Sequence, residues 1–507
     1  MSLDVAVIGA GLGGLSAALK LASEGARVLL LEQHNLPGGF ATSFVRGRFE
    51  FEVSLHELSD VGPSDNKGAV RRFLEDEAGV EVEFLPVPEA YHLILPESGI
   101  NIRIPFGVQP FIETIAGAVP GSLKPLTRYL KLCREVARAL SFIGRSGGAP
   151  DMGMLLERYP AFVTTAGYTV SEVTEKFGFP EKALQMIYPY WSYMGVPVSR
   201  MSFTLFAVML YSYISRGAYI PRHNSHGLAA AMDARIRELG GEVRYNTRVE
   251  KILVEDGRAV GVETAEGLSV SAKAVVANLS PNLVYGKLVH PRSAVPERAV
   301  KLLNARRLGA SALVLYLGLD APPEALNLES YGYFVGPSMD TERAYENFFR
   351  FEPPQMQAVI CLNRANPECS PPGTTILSAT SLAGPQAWDG VAAEQYYSVK
   401  REMAEAMIEQ LSGYLGAPLR EHIEEIEVAT PQTFARYTGA CRGAIYGYEQ
   451  DPWDSLVART MAAPTERFIK GLEFTGGFAF MGHGYAPSII SGRAAALSVL
   501  HRLSRSR

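Results

Sequence analysis

Cysteine is scarce. Cys133, Cys361, Cys369 and Cys441 are the four in 507 residues, and no CxxC or other metal-ligand spacing occurs among them. That excludes a disulfide scaffold and a structural metal site, and it fits buried apolar thiols in a reducing compartment. Neither sign of charge dominates. The formal net charge is −5, so the basic face of a nucleic-acid binder is not expected. A short basic stretch closes the chain, "HRLSRSR", and reads as a solvated tail. Long hydrophobic runs are also missing. The longest, Phe203 to Ile214, has about 12 residues where a membrane span needs about 20. A span is excluded; a greasy helix dipping into a membrane surface is not. No charged leader precedes the first strand, so the expected location is cytoplasmic, peripheral to a membrane at most. Repeats and low-complexity tracts are absent. What is present is an ordinary packed composition, 47% hydrophobic and 20% charged, long enough for two or three domains.

The first informative stretch is "DVAVIGAGLGGLSAALKLASEGARVLLLE". An apolar strand meets a glycine turn, then a helix, then a second strand. Gly9, Gly11 and Gly14 form GxGxxG, with Gly13 inside it. In that pattern Gly9 makes the tight turn, Gly11 lets a pyrophosphate approach, and Gly14 lets the helix pack on the strand. The helix N-terminus offers free N–H groups and a positive dipole end to phosphates. Glu32 ends the second strand, where its carboxylate can accept from both ribose hydroxyls. These features together predict a bound dinucleotide. A second bare turn follows at Gly38 and Gly39, in "PGGFATSF", and suggests a ligand longer than a nicotinamide dinucleotide.

That turn and the segment after it, "FEFEVSLHELSDVG", resemble the FAD-binding opening of the amine-oxidase and phytoene-desaturase superfamily. Ser54 stands where the family usually has glycine. The end of the chain, "GLEFTGGFAFMGHGYAPSIISGRAAALSVL", is similar to the closing segment of phytoene desaturases. It is nearest to their carotenoid isomerase and retinol saturase branch, through Gly482-His483-Gly484-Tyr485 and Ser491-Gly492-Arg493. Gly476-Gly477-Phe478 lacks the acid many relatives carry there. The middle, 217–281, resembles a third FAD segment, in which the backbone of Val249 would meet the adenine. Its opening, "PRHNSHGLAAAM", keeps only Gly227 of the usual glycine pair. The resemblance implies FAD held by Gly9, Gly11, Gly13, Gly14, Glu32, Gly38, Gly39, Val249, Gly476, Gly477, Gly482, Gly484 and Ser491.

The expected architecture is α/β. A Rossmann-like FAD-binding domain (1–70, 216–300 and 426–507) accompanies an α+β substrate domain (71–215 and 301–425) with a second, mostly antiparallel sheet and a helical, membrane-facing part. No second GxGxxG occurs, so electrons are expected to pass between FAD and substrate, with oxygen, a quinone or a loosely held carrier as partner. The aromatic and Met-rich stretch 186–214 is read either as core or as the wall of an apolar channel, with Phe206 as a wall residue. His56, Glu57, His483 and Tyr485 are the candidate catalytic residues; His223 and His226 read as loop histidines. No metal is expected. The resemblance implies an FAD-dependent oxidoreductase acting on CH–CH or C=C bonds of a long apolar, polyene-like small molecule, by desaturation, saturation or isomerisation. Two alternatives stand beside it. One is a flavin amine oxidase, for which no aromatic cage or acid is marked in the sequence. The other is a binding or delivery protein of the same fold without turnover.

Overall fold

Two sheets organise the chain. The computed structural model describes residues 3–146, 150–462 and 466–505. At the centre of the first sheet, Leu3–Ile8 lies parallel to Val28–Leu31 on one side and to Ser269–Ala277 on the other. Val5 to Ile8 are buried, as an unbroken apolar run between two covered faces requires. Glu242–Arg244 and Leu472–Phe474 extend the parallel part. Val249–Glu255 and Arg258–Thr264 add an antiparallel wing. The strand ends that matter for function are Ile8, Leu31, Ala277 and Phe474, which all point the same way.

The first helix, Leu12–Ser23, starts at Gly11 and runs against the closing helix Tyr485–Arg505. They touch backbone to backbone: a Cβ on Gly492 would stand 2.2 Å from the Gly13 carbonyl oxygen. The small residues of the closing helix are there for this contact.

The second sheet has seven strands, in the order Ile423–Ala429, Ser311–Leu319, Thr375–Ala383, Gln357–Cys361, Gly332–Val335, Tyr91–Leu95, Ile100–Ile104. Only the pairing of Gly332–Val335 with Tyr91–Leu95 is parallel. Ser311–Leu319 is buried along its whole length. Its odd-numbered residues Leu313, Leu315, Leu317 and Leu319 pack under the helix Tyr396–Leu415. Its even-numbered Ala312, Val314 and Tyr316 face the opposite way, into the main core. The period-two pattern of a strand thus separates an outer layer from the functional side. Strand Ile423–Ala429 runs through the expected boundary at 425/426 as one piece of this sheet. The hairpin Ser43–Arg46 and Phe49–Glu52 also leans on it, with Phe44 at 5.1 Å from the Tyr316 ring.

Helices cover the rest of the second unit, chiefly Val108–Ala118, Leu123–Arg145 and Phe203–Arg216. The apolar run in the last is an interior element: Phe203, Phe206, Ala207, Leu210 and Ile214 are fully buried. Among the described residues no helix is long and apolar enough to cross a membrane.

Candidate functional site

The ends of the parallel strands open onto a cavity of about 1510 Å³. Gly9, Gly11 and Gly13 line it at one end, with Glu32, Gly38 and Gly39 beside them. Gly9 (φ +89°) and Gly39 (φ +63°) need conformations that L side chains rarely adopt. The second turn rests on the first: the Gly38 N–H donates to the Ala10 carbonyl at 2.8 Å. Glu32 is fixed at the strand end because its carboxylate accepts from the backbone N–H of Ala10 (2.6 Å) and of His34 (2.8 Å). Val249 lines the same cavity, as do Gly476, Gly477 and Gly484 from the closing segment. Three distant stretches thus converge on one elongated space, and their chemistry suits a dinucleotide: bare turns, a helix N-terminus and an acid at the ribose distance.

Gly14, Gly482 and Ser491 lie outside this cavity. A Cβ on Gly14 would fall 1.9 Å from the Gly9 carbonyl oxygen, so Gly14 closes helix onto strand as expected. Gly482 (φ +80°) makes room for the Gln450 amide. The Ser491 hydroxyl accepts from the Gly476 N–H (3.1 Å) and donates to the Ser488 carbonyl (2.9 Å), so it holds the glycine turn in place.

Gly11 has a second reason to be bare beside the approach of a pyrophosphate. Its Cβ position lies 2.6 Å from Nδ2 of Asn278, and Oδ1 of the same side chain sits 2.8 Å from a Cβ on Gly13 and 2.1 Å from one on Gly476. Asn278 is a wedge between the first turn and the last. It follows the strand Ser269–Ala277, and its own N–H donates to the Ile8 carbonyl. The sequence marks that strand; a polar residue directly at its end was the available signal for Asn278.

A second cavity, about 1460 Å³, extends into the other unit. The two meet at Ser54, His56, Thr380, Tyr446, His483 and Tyr485, which line both. Three of the four candidate catalytic residues are therefore at the junction, and Glu57 lines the second cavity just beyond it.

His483 stacks on Tyr446 with ring centroids 4.1 Å apart. Its Nε2 lies 2.6 Å from the Tyr193 carbonyl oxygen and must carry the proton. That leaves Nδ1 a buried acceptor with no partner. His56 bonds through Nε2 to the Thr380 hydroxyl (3.2 Å), and its Nδ1 is likewise unpartnered. Burial lowers both imidazoles to about 4, so both are neutral at pH 7. Glu57 accepts from the Tyr193 hydroxyl at 3.1 Å. Tyr190 and Tyr213 are stacked at 4.9 Å next to it, and Phe334 lies 5.9 Å from Tyr193. Burial pushes the Glu57 carboxyl up to about 8, so it holds its proton at pH 7. An acid in an aromatic cage is therefore present, assembled from segments too far apart in the sequence to be seen there.

Tyr485 spends its hydroxyl on structure. It donates to the Phe40 carbonyl (3.2 Å) and sits 3.0 Å from the Ser225 hydroxyl. Ser54, in place of the usual glycine, also donates to the Phe40 carbonyl, at 2.9 Å. Behind them, Glu52 accepts the Ser225 N–H (2.7 Å) at the start of helix Asn224–Glu238. Asn224 takes φ +57° and its side-chain oxygen accepts the Gly227 N–H. This is how the chain begins that helix with one glycine where two are usual.

Similarity to known proteins agrees with this geometry. All-trans-retinol 13,14-reductase from Danio rerio is 25% identical over 94% of this chain and 82% of its own length. Prolycopene isomerase 1 from an Oncidium hybrid cultivar is 25% identical, covering 96% of this chain and 82% of its own. Among solved structures, putrescine oxidase bound to putrescine superposes with a TM-score of 0.67 at 16% identity, over 99% of this chain and 100% of that one. An oxidoreductase from Methanosarcina mazei gives 0.63 at 18%, over 98% and 100%. At such identities the structures show a shared fold. The profile of flavin-containing amine oxidoreductases matches residues 12–496, and the chain belongs to that family.

Proposed function

We propose that this protein is an FAD-dependent oxidoreductase acting on CH–CH or C=C bonds of a long apolar substrate of isoprenoid or polyene type. The observation that carries the reading is the junction: a dinucleotide-shaped cavity opens into a second, largely apolar one through a wall of neutral groups. FAD, when bound, supplies hydride transfer to or from carbon. The chain's own residues then have to orient the substrate, exclude water and manage one proton. Glu57, protonated and unpaired with any cation among the described residues, is suited to give a proton to a substrate carbon or, once emptied, to take one. His483 presents an unpartnered Nδ1 acceptor at the junction; the unpartnered Nδ1 of His56 accepts or donates according to which way the Thr380 hydroxyl turns. Tyr485 and Ser54 set the position of the Phe40 loop. Desaturation, saturation and isomerisation all use this arrangement. The names of the two relatives, a retinol reductase and a prolycopene isomerase, support the substrate class. Peripheral contact with a membrane and an electron partner that binds only transiently complete the reading.

The Glu57 cage favours one other reading, the flavin amine oxidase. Its acid, however, is held uncharged by burial and offers little attraction to an ammonium group. Anaerobic titration of the yellow protein decides between them. Bleaching of the oxidised flavin by a polyene, or reoxidation of the dithionite-reduced flavin by one, and neither with amines, is expected; reduction by amines alone would reverse the assignment. Colourless protein that FAD cannot reconstitute would leave a binding protein without turnover.

A further inference from the structure

We propose that the outward face of the helix Leu123–Arg145 is the surface on which this protein lies against an anionic lipid bilayer, and that apolar substrate passes from that bilayer into the second cavity. The inference rests on the reading of the substrate as long and apolar. It also moves the membrane contact away from the apolar stretch Phe203–Ile214, most of which is interior.

The helix has 23 residues, and its inward side buries Leu126, Tyr129, Leu130, Cys133, Val136 and Ile143. Its outward side carries Lys124, Arg128, Lys131, Arg134, Arg138 and Arg145, all exposed. Its one acid, Glu135, faces the protein, where it accepts the N–H groups of Ala161 (2.8 Å) and Phe162 (3.3 Å). None of the six cations joins an ion pair among the described residues. Arg128 lies over the Phe177 ring and Arg145 donates to Ser141. Like charges three and four residues apart repel one another. A row of six, uncompensated, in a chain of net charge −5, therefore calls for counter-charge from outside.

The same face frames the way in. Arg134, Ala137, Arg138, Ser141 and Gly144 line the second cavity, across from Met209. Exposed apolar side chains stand nearby in sequence: Leu123 (53% exposed), Met152 (49%) and Leu156 (53%). Cations placed at headgroup phosphates would bring this opening to the boundary with the acyl chains, where such a substrate dissolves. A soluble phosphate or an acidic protein would account for the charge and leave the opening unexplained.

The test is vesicle co-sedimentation of the full-length, FAD-loaded protein. Phosphatidylcholine vesicles are compared with vesicles of phosphatidylcholine mixed with phosphatidylglycerol. Binding to the mixed vesicles only is expected, with release at high salt. The double variant Arg134→Glu/Arg138→Glu should bind on the order of 100-fold more weakly while its flavin absorbance shows an intact fold. Arg350→Glu, a reversal elsewhere on the surface, should bind as the parent does. Equal binding to both vesicles, or a double variant that binds like the parent, overturns the proposal. So does displacement by glycerol phosphate at the headgroup concentration, which would make the ligand a soluble phosphate, or preferential capture by duplex DNA. The readout involves no turnover, so intact vesicle binding with a failed polyene titration would count against the substrate reading alone.

Discussion

A Cβ placed on Gly13 would lie 2.6 Å from the backbone nitrogen of Gly476. The first turn of the chain and the glycine turn at Gly476 are thus in backbone contact at the ends of the parallel strands. Backbone cannot move aside as the tip of a long side chain can. Gly13→Val should push the closing turn off the cavity. The purified variant should lose its flavin absorbance and about 1–3 kcal/mol of stability. Gly117→Ala is the control. It lies exposed in the helix Val108–Ala118 with open space at its Cβ position, so it should keep flavin and gain about 0.5 kcal/mol. A yellow, stable Gly13→Val protein would show that the two turns do not clasp the cofactor together.

Glu32→Ala tests the same end of the site from the second strand. The carboxylate is already oriented by the N–H groups of Ala10 and His34, which leaves lone pairs for the ribose hydroxyls. Charge-assisted hydrogen bonds are worth about 1.5–3 kcal/mol, so FAD affinity should fall roughly 10- to 100-fold by fluorescence titration. Unchanged affinity would place the ribose elsewhere.

The two glycine-rich ends differ in how legible they were. Strand, turn, helix and acid are consecutive from Val5 to Glu32, and each is dictated by local rules of backbone conformation and periodicity. Asn278 is different. Its side chain fills three glycine Cβ positions in two separate turns, a relation that exists only after strand Ser269–Ala277 lies beside Leu3–Ile8. The motif around Ser491 implies a cofactor contact, yet its hydroxyl is used on Gly476. The aromatic cage around Glu57 draws on Tyr190, Tyr193, Tyr213 and Phe334. It was invisible because these residues come together only where two chain segments build one wall. Composition did show an aromatic-rich stretch at 186–214; it could not say which rings face the core and which face the cavity.

Charge state gives a pH prediction with opposite limbs. Glu57 is raised from 4.5 to about 8, so the folded chain keeps a proton that the unfolded chain has lost. Its stabilising contribution therefore declines as pH rises from about 4.5 to about 8. His56 and His483 are lowered from 6.5 to about 4, and what they contribute is lost as pH falls across that interval. Glu52, raised from 4.5 to about 7, adds to the alkaline decline. Between about 4.5 and 6.5 the two acids and the two histidines oppose one another, so melting temperature should be level there and fall on either side. Glu57→Gln should remove the decline between about pH 7 and 8, keep the part that Glu52 contributes up to about 7, and leave the acid limb. If the Glu57 proton is the one transferred, flavin oxidation by a polyene substrate should slow as pH rises through about 8 and be slow at every pH in Glu57→Gln. A wild-type rate that is level through that range would remove Glu57 from the chemistry.

Phe206 and Met209 separate core from channel within one helix. Phe206 is fully buried, has its ring 6.3 Å from Tyr188, and does not line the second cavity. Of the two readings of the stretch 186–214, core or channel wall, Phe206 takes the first. Phe206→Ala should cost about 3–5 kcal/mol of stability and leave the affinity of the surviving folded protein for an apolar ligand unchanged. Met209 is partly exposed and lines the cavity. Met209→Asp should melt near the parent, because its carboxylate can reach water at the mouth. It should also bind a polyene roughly 10- to 100-fold more weakly, the loss of about 1.5–3 kcal/mol of apolar burial. Parent-like polyene affinity in Met209→Asp would mean that the substrate chain runs along another branch, past Leu456 and Phe480, and that the helix Phe203–Arg216 bounds the cavity without holding what enters it.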